Sequence, residues 1–73
     1  MTYTAILERA DDGRIWAHIP EIEGVAGAGD TEDEALIDLR RGVELWLEVE
    51  RDRGATLPRP STVGATTITI DAA

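Results

Sequence analysis

The sequence predicts a small α+β domain in which strands come first, one long helix follows, and a last strand returns to the sheet. Three observations support this order. Two segments of alternating apolar residues flank an Asp-Asp-Gly turn near the N-terminus. One run with helical periodicity covers residues 31–53. A Thr-Thr-Ile-Thr-Ile-Asp segment near the C-terminus alternates again. We therefore predict a single β-β-β-α-β domain over residues 1–73, with the helix on one face of the sheet.

The first two predicted strands, residues 3–9 and 14–19, form an antiparallel hairpin. Six of their apolar residues fall at odd positions: Tyr3, Ala5, Leu7, Ile15, Ala17 and Ile19. These share one face only if Ala10 pairs with Arg14 and the loop holds three residues. Gly13 then takes the left-handed conformation that such a loop needs. A two-residue loop would place His18 opposite Leu7 and scramble the apolar face.

The other face of this hairpin carries the residues that we consider for contacts. The register pairs Ile6 with His18 and Glu8 with Trp16. Since one helix covers only one face of a small sheet, Trp16 either packs under a loop or belongs to a contact surface, because exposed aromatic residues are common at interfaces. Both interpretations remain open. The candidate partner or oligomer contacts are Ile6, Trp16, His18 and Ile22.

A third, short strand is predicted at residues 25–28. Pro20 ends the second strand because it lacks an N–H for the ladder. Ile22 is expected in the turn, and Gly24 allows the chain to reverse. The small residues of the third strand allow a helix to approach closely.

The helix begins after Gly29. Either Asp30 or Thr31 can serve as its N-cap, and an acidic residue three positions later completes a capping box. It is predicted to end near Arg53, before Gly54. One stripe faces the core, and Trp46 is assigned to packing within it: Ala35, Leu36, Leu39, Val43, Trp46 and Leu47. Ile37 and Leu45 lie outside that stripe.

An extended connection follows the helix, because Pro58 and Pro60 cannot occupy a helix interior. Residues 66–71 are predicted as the last strand of the sheet, with Ile68 and Ile70 facing inward. The pattern leaves the position of this strand in the sheet open.

The length, composition and net charge of the chain favour a protein partner. The chain has 73 residues, no cysteine and a formal net charge of −8, and all seven basic residues are arginine. A chain of this size has little core, so we expect self-association as a homodimer or a tetramer, or a bound partner. The acidic surface disfavours direct nucleic-acid binding and suits a basic protein, although plain solubility also explains it. No signal peptide or membrane span is evident, so we expect a cytoplasmic protein.

Little in the sequence suggests chemistry. The single serine, Ser61, and the single histidine, His18, lie in unrelated segments, and no lysine is available for Schiff-base formation. The glycines of residues 24–29 precede a helix start, but the acidic residues there would repel a phosphate. We therefore expect no enzyme activity, no catalytic residue, no cofactor and no metal.

Four segments together resemble the HicB-like antitoxin family. They are residues 19–24 (Ile-Pro-Glu-Ile-Glu-Gly), residues 29–36 (Gly-Asp-Thr-Glu-Asp-Glu-Ala-Leu), residues 44–48 (Glu-Leu-Trp-Leu-Glu) and residues 57–60 (Leu-Pro-Arg-Pro). The resemblance covers nearly the whole chain. Its motif residues are Pro20, Gly24, Gly29, Asp30, Thr31, Ala35, Trp46, Pro58 and Pro60. A short form of the family, without a C-terminal DNA-binding module, is expected.

The resemblance implies a partial ribonuclease-H-like fold and an inhibitor that binds a small, basic, HicA-like toxin ribonuclease. Such an inhibitor would cover the RNA-binding surface of the toxin. Two alternatives stay open. One is a stand-alone oligomeric adaptor of the same fold, and the other is a hydrolase of remote ribonuclease-H descent.

Overall fold

The computed structural model describes residues 1–71. It contains three strands and one helix, in the order β1 (Ile6–Arg9), β2 (Ile15–Ile19), β3 (Ile22–Gly29) and α1 (Glu32–Arg53). The strands form one antiparallel sheet in the order β1-β2-β3. The helix packs mainly on β3 and, less extensively, on β2. The α+β class is confirmed.

The hairpin between β1 and β2 has the predicted register. Ile6 lies opposite His18 and Glu8 lies opposite Trp16. The Ala10 N–H donates to the Arg14 carbonyl at 2.8 Å, and the Gly13 N–H donates to the Ala10 carbonyl at 2.9 Å. Gly13 has a φ of 88°, the left-handed conformation that favours glycine. The three-residue loop is therefore confirmed.

The third strand is longer than predicted, and the prediction that Ile22 lies in a turn on the surface is wrong. β3 starts at Ile22, which pairs with Ile19 and is only 2% exposed. The register then shifts, so that residues 23–25 bulge out before Ala26 pairs with His18. Gly24, with a φ of 81°, lies in this bulge. The bulge turns the side chain of Ile22 into the core, which the two-residue periodicity of a regular strand does not anticipate.

The helix starts and ends as predicted, and the structure selects Thr31 as the N-cap. The Thr31 Oγ1 accepts a hydrogen bond from the Glu34 N–H at 3.2 Å. The Glu34 carboxylate in turn accepts from the N–H of Asp30, the residue before the N-cap, at 2.9 Å, so side chains satisfy one donor of the first turn and one donor just before it. At the other end, the Gly54 N–H donates to the Arg51 carbonyl. This closing bond ends the helix at Arg53.

The core lies between the helix and the inner face of the sheet. Its buried residues are Ile15, Ala17, Ile19, Ile22, Ala35 and Leu39. Tyr3, Val43 and Trp46 are partly buried against them, which agrees with the assignment of Trp46 to packing. Leu36, placed in the same stripe, is more exposed than expected, because it lines an open groove beside Tyr3 and Ala5.

Two glycines allow the helix to lie directly on β3. A Cβ atom added at Gly27 would lie 2.7 Å from the Leu39 Cα and would also overlap Ala35. A Cβ atom at Gly29 would lie 2.8 Å from the Ala35 N. Any side chain at either position would therefore push the helix backbone away from the sheet.

The predicted last strand is not formed. Residues 55–71 contain no regular secondary structure, and Ile68 and Ile70 are 79% and 73% exposed rather than turned inward. Its residues alternate like those of a strand, but a strand forms only where a neighbouring edge and an apolar face receive it. Within the described chain, residues 66–71 pair with no strand edge and pack on no apolar face.

Substitution of Gly27 tests the close approach of α1 to β3. We expect Gly27→Ala to lower the free energy of unfolding by about 1–3 kcal/mol, the usual cost of forcing extra volume into a packed core. Urea unfolding followed by the helical circular dichroism signal measures this change. The control is Gly64→Ala, since an added Cβ there meets open space. Equal unfolding midpoints for the two variants would show that the contact at Gly27 is not tight.

Candidate partner-binding face

The face of the sheet opposite the helix is open and holds most of the candidate contacts. We call it the outer face and define it by two rows that run across the three strands. One row is Ile6, His18 and Ala26, and the other is Glu8, Trp16 and Ala28. The inner-face residues of β2 are buried while its outer-face residues are not, because side chains alternate along a strand.

Trp16 is the largest apolar group on the outer face. It lies on the central strand, and its side chain is flanked by Glu8 on β1 and by Ala28 on β3. Trp16 is 45% exposed even though its chain neighbours Ile15 and Ala17 are buried. Alanine is too short to shield the indole on the β3 side. This arrangement answers the question left open by the sequence: Trp16 lies at the surface.

A pair formed by Glu8 and His18 lies beside this indole. The His18 Nδ1 lies 3.5 Å from the Glu8 Oε1, with both side chains partly exposed. Ile6, which faces His18 across the hairpin, is half-buried. The outer face therefore combines an aromatic group, an aliphatic group, a carboxylate and an imidazole within two rows. Of these, the exposed aromatic group is the one that is enriched at protein interfaces.

Charged residues border the outer face near the hairpin loop. The Arg14 Nε lies 3.9 Å from the Asp30 Oδ1, and both side chains are at least half exposed. The Asp12 carboxylate accepts a hydrogen bond from the Arg14 N–H at 3.0 Å. These exposed contacts contribute little stability. They place two carboxylates and one arginine at this border.

The structure does not bring Ile22 to this face. Ile22 lies in the core with Ile19, on the opposite side of the sheet from Trp16. Its assignment as a contact residue is therefore corrected. The sequence reasoning placed it in a turn, and the bulge that follows it gives no signal in the sequence other than Gly24.

The segment after the helix returns to the sheet at a carboxylate that the sequence did not single out. Glu21, in the turn between β2 and β3, accepts hydrogen bonds from the Ser61 N–H at 3.2 Å and from the Thr62 hydroxyl. The Tyr3 hydroxyl donates to the Pro58 carbonyl, and the Thr4 hydroxyl donates to the Thr62 carbonyl at 3.1 Å. We call residues 58–62 the anchor. Contacts between residues so distant in sequence leave no periodic pattern to find.

These hydrogen bonds affect the acidity of Glu21. The Thr62 hydroxyl, helped by the backbone N–H of Ser61, lowers the pKa of the Glu21 carboxyl below its ordinary value. Donors that bind the ionised form favour it, which accounts for the direction of the shift.

Groups that would bind a metal are not assembled in residues 1–71. No three histidine or acidic side chains come together there in a geometry that could hold an ion. The backbone N–H of Ser61 donates a hydrogen bond to the Glu21 carboxylate. In the same part of the chain, no helix has both the length and the apolar character required to cross a membrane.

The fold and the outer face together define a small α+β domain that presents one side of a three-stranded sheet. Residues 3–58 match the model of the UPF0150-like family. The match covers most of the chain, and the chain belongs to this family.

Relatives in two organisms bear the same family name. A UPF0150 protein of Synechocystis sp. is 49% identical over 45 residues, which is 62% of this chain and 62% of that protein. A UPF0150 protein of Thermoplasma acidophilum is 29% identical over 59 residues, 81% of this chain and 86% of that protein. A second Synechocystis sp. protein is 37% identical over 46 residues, 63% of this chain and 58% of that protein. No solved structure shows a significant match.

The lowered pKa of Glu21 predicts that the anchor weakens in acid. The ionised carboxylate holds Ser61 and Thr62, so its contribution is complete above the ordinary glutamate pKa and is lost as pH falls through the lower folded pKa. The Ser61 amide resonance, followed by NMR between neutral pH and pH 3, should shift with this transition. Glu21→Gln should abolish the shift at Ser61. A Ser61 resonance that titrates identically in both chains would contradict this assignment.

Proposed function

We propose that this chain is an antitoxin-type inhibitor that binds a small, basic, HicA-like mRNA-cleaving toxin and covers its RNA-binding or active surface. The observation that carries the proposal is the exposed Trp16 beside the Glu8–His18 pair on an open sheet face. The resemblance of residues 19–60 to HicB-like antitoxins supplies the partner class. Its implied ribonuclease-H-like fold and a cytoplasmic location belong to the same proposal.

Charge supports this choice of partner. The chain has 15 acidic residues against seven arginines. Glu8 lies on the outer face, and Asp12 and Asp30 border it together with Arg14. A ribonuclease that holds its substrate by the phosphate backbone needs a basic surface. Complementary charge would steer the two proteins together and raise the association rate.

The outer face would then act by occupation of the toxin surface. The Trp16 indole supplies a large rigid apolar contact, and the neighbouring Ala28 leaves room for a partner side chain. Glu8 lies next to it and can pair with an arginine or lysine of the toxin. Such inhibition is stoichiometric, because each chain blocks one toxin molecule by remaining bound to it. It therefore requires no catalytic residue in this chain.

A second candidate function is that of a stand-alone oligomeric adaptor. The observation in its favour is a second apolar surface on the solvent side of α1, where Ile37 and Leu45 are 55% and 64% exposed. Such a surface suits self-association into a homodimer or a tetramer without any toxin.

Binding to the product of the neighbouring reading frame tests the proposal. We expect that product, if it is a small basic ribonuclease, to form a tight complex that restores RNA integrity. Trp16→Ala should weaken the complex by about thirtyfold or more, the usual effect of losing a central aromatic contact, while the helical signal and the melting temperature change little. Leu45→Ala, an exposed apolar truncation on the other side of the domain, is the matched control.

Two results would contradict the proposal. One is a neighbouring product that is unable to bind the chain, which would favour the adaptor. The other is a Trp16→Ala chain that inhibits as well as Leu45→Ala does, which would move the binding site away from the outer face.

A further inference from the structure

The chain beyond the anchor projects from the body of the domain. We call residues 63–71 the arm. Its apolar side chains are almost fully accessible, as Ile68 and Ile70 show. The molecule measures 51 × 26 × 17 Å, with a radius of gyration of 14.3 Å. A compact domain of this length would have a radius of gyration of roughly 11 Å.

The root of the arm is fixed although the arm itself has no partner strand. The anchor is held by Tyr3, Thr4 and Glu21, and its last residue, Thr62, lies beside the start of β1. The arm therefore leaves the domain at a defined place. The sequence Thr66-Thr67-Ile68-Thr69-Ile70 consists entirely of β-branched residues, which favour a strand, and contains no proline.

The sheet offers two edges to such a strand, and one donor on the edge of β3 is already used. Ala28 is in a non-hydrogen-bonded pair with Trp16, so its N–H points away from β2. That N–H donates to the Asp38 carboxylate of α1 at 2.9 Å. A side chain of the helix thus takes up one hydrogen-bond donor of the β3 edge, and that donor is not free to pair with another strand.

The edge of β1 is open in residues 1–71. The bond between Ala10 and Arg14 makes the even-numbered residues of β1 the hydrogen-bonded partners of β2. The N–H and C=O groups of Leu7 and Arg9 therefore point outward, where the described chain places no strand. An unpaired edge of this kind is a template for strand addition.

An apolar groove lies along this side of the domain. It has a volume of ≈ 330 Å³ and lies between the residues before β1 and the helix. Its apolar lining includes Tyr3, Ala5, Leu36 and Val43, and Arg40 and Glu44 line it as well. Leu7 on β1 is also accessible. Isoleucine side chains on a strand added to β1 would cover this apolar surface.

The chain's own arm is in the wrong register to fill this place. Thr62 is bonded to Thr4, so an arm that ran parallel to β1 at the same rise per residue would set residues 66–70 beside residues 8–12. β1 ends at Arg9. Ile68 and Ile70 would then lie beside the hairpin loop, beyond the edge and beyond the groove. The Thr4–Thr62 hydrogen bond does not link the arm of one copy to β1 of another, so an arm from a second copy can take a different register.

We propose that residues 66–70 of one copy add as a strand to the β1 edge of a second copy, with Ile68 and Ile70 over the groove, and that the exchange is reciprocal. Two such additions form a closed dimer with two-fold symmetry. The isoleucines of this interface lie on the helix side of the sheet, opposite to Trp16, so the proposal does not depend on a toxin.

Sedimentation of the purified chain tests the dimer. We expect a dimer at micromolar concentration and, for the double variant Ile68→Thr with Ile70→Thr, a dissociation constant at least a hundredfold higher. Both substitutions keep the β-branch and remove apolar surface. Thr67→Ser with Thr69→Ser is the control and should remain dimeric. A monomeric natural chain, or a double variant that dimerises as tightly as the control, would overturn the proposal.

Two further measurements locate the strand. In a mixture of differently isotope-labelled chains, methyl contacts between Ile68 and Leu7 should appear only between molecules; contacts within one molecule would overturn the proposal. A synthetic chain with N-methyl-Leu7 loses one outward N–H and keeps its side chain. It should retain the helical signal and become monomeric. A dimer that survives N-methylation at Leu7 would show that the β1 edge is not the site.

Discussion

The close contact between the helix and β3 is the constraint on which the rest of the structure depends. Gly27 and Gly29 let the backbone of α1 lie on the strand without intervening side chains, and Ala35 packs at the same place. The helix is consequently held over one side of the sheet. Within residues 1–71 this one helix covers one face of the sheet, and no second element covers the other.

That off-centre position of the helix creates the surfaces that the domain can use. The outer face receives no element of the described chain and keeps Trp16 accessible. The β1 side of the inner face is covered poorly, which leaves the groove near Tyr3. The Asp38 carboxylate meanwhile occupies a donor on the β3 edge. Thus the packing that stabilises the domain also decides which face and which edge remain open.

Local chemistry determined what could be predicted from the sequence. The hairpin register followed from the positions of apolar residues around Gly13, and it placed Ile6, Trp16 and His18 correctly on one face. The helix ends followed from capping residues. The buried position of Ile22 could not be predicted, because the bulge after it breaks the strand period. The anchor at Glu21 rests on contacts across 40 residues, and residues 66–70 form no strand in one copy whatever their local preference.

We propose that the outer face meets a partner while the helix side remains the core, and the chain carries two indole groups that report on these two sides. It has two tryptophans, Trp16 on the outer face and Trp46 against the core. We would titrate ¹⁵N-labelled chain with the product of the neighbouring reading frame and follow the two indole N–H resonances. The account predicts that the Trp16 resonance shifts or broadens while that of Trp46 stays in place. A perturbed Trp46 beside an unchanged Trp16 would contradict it.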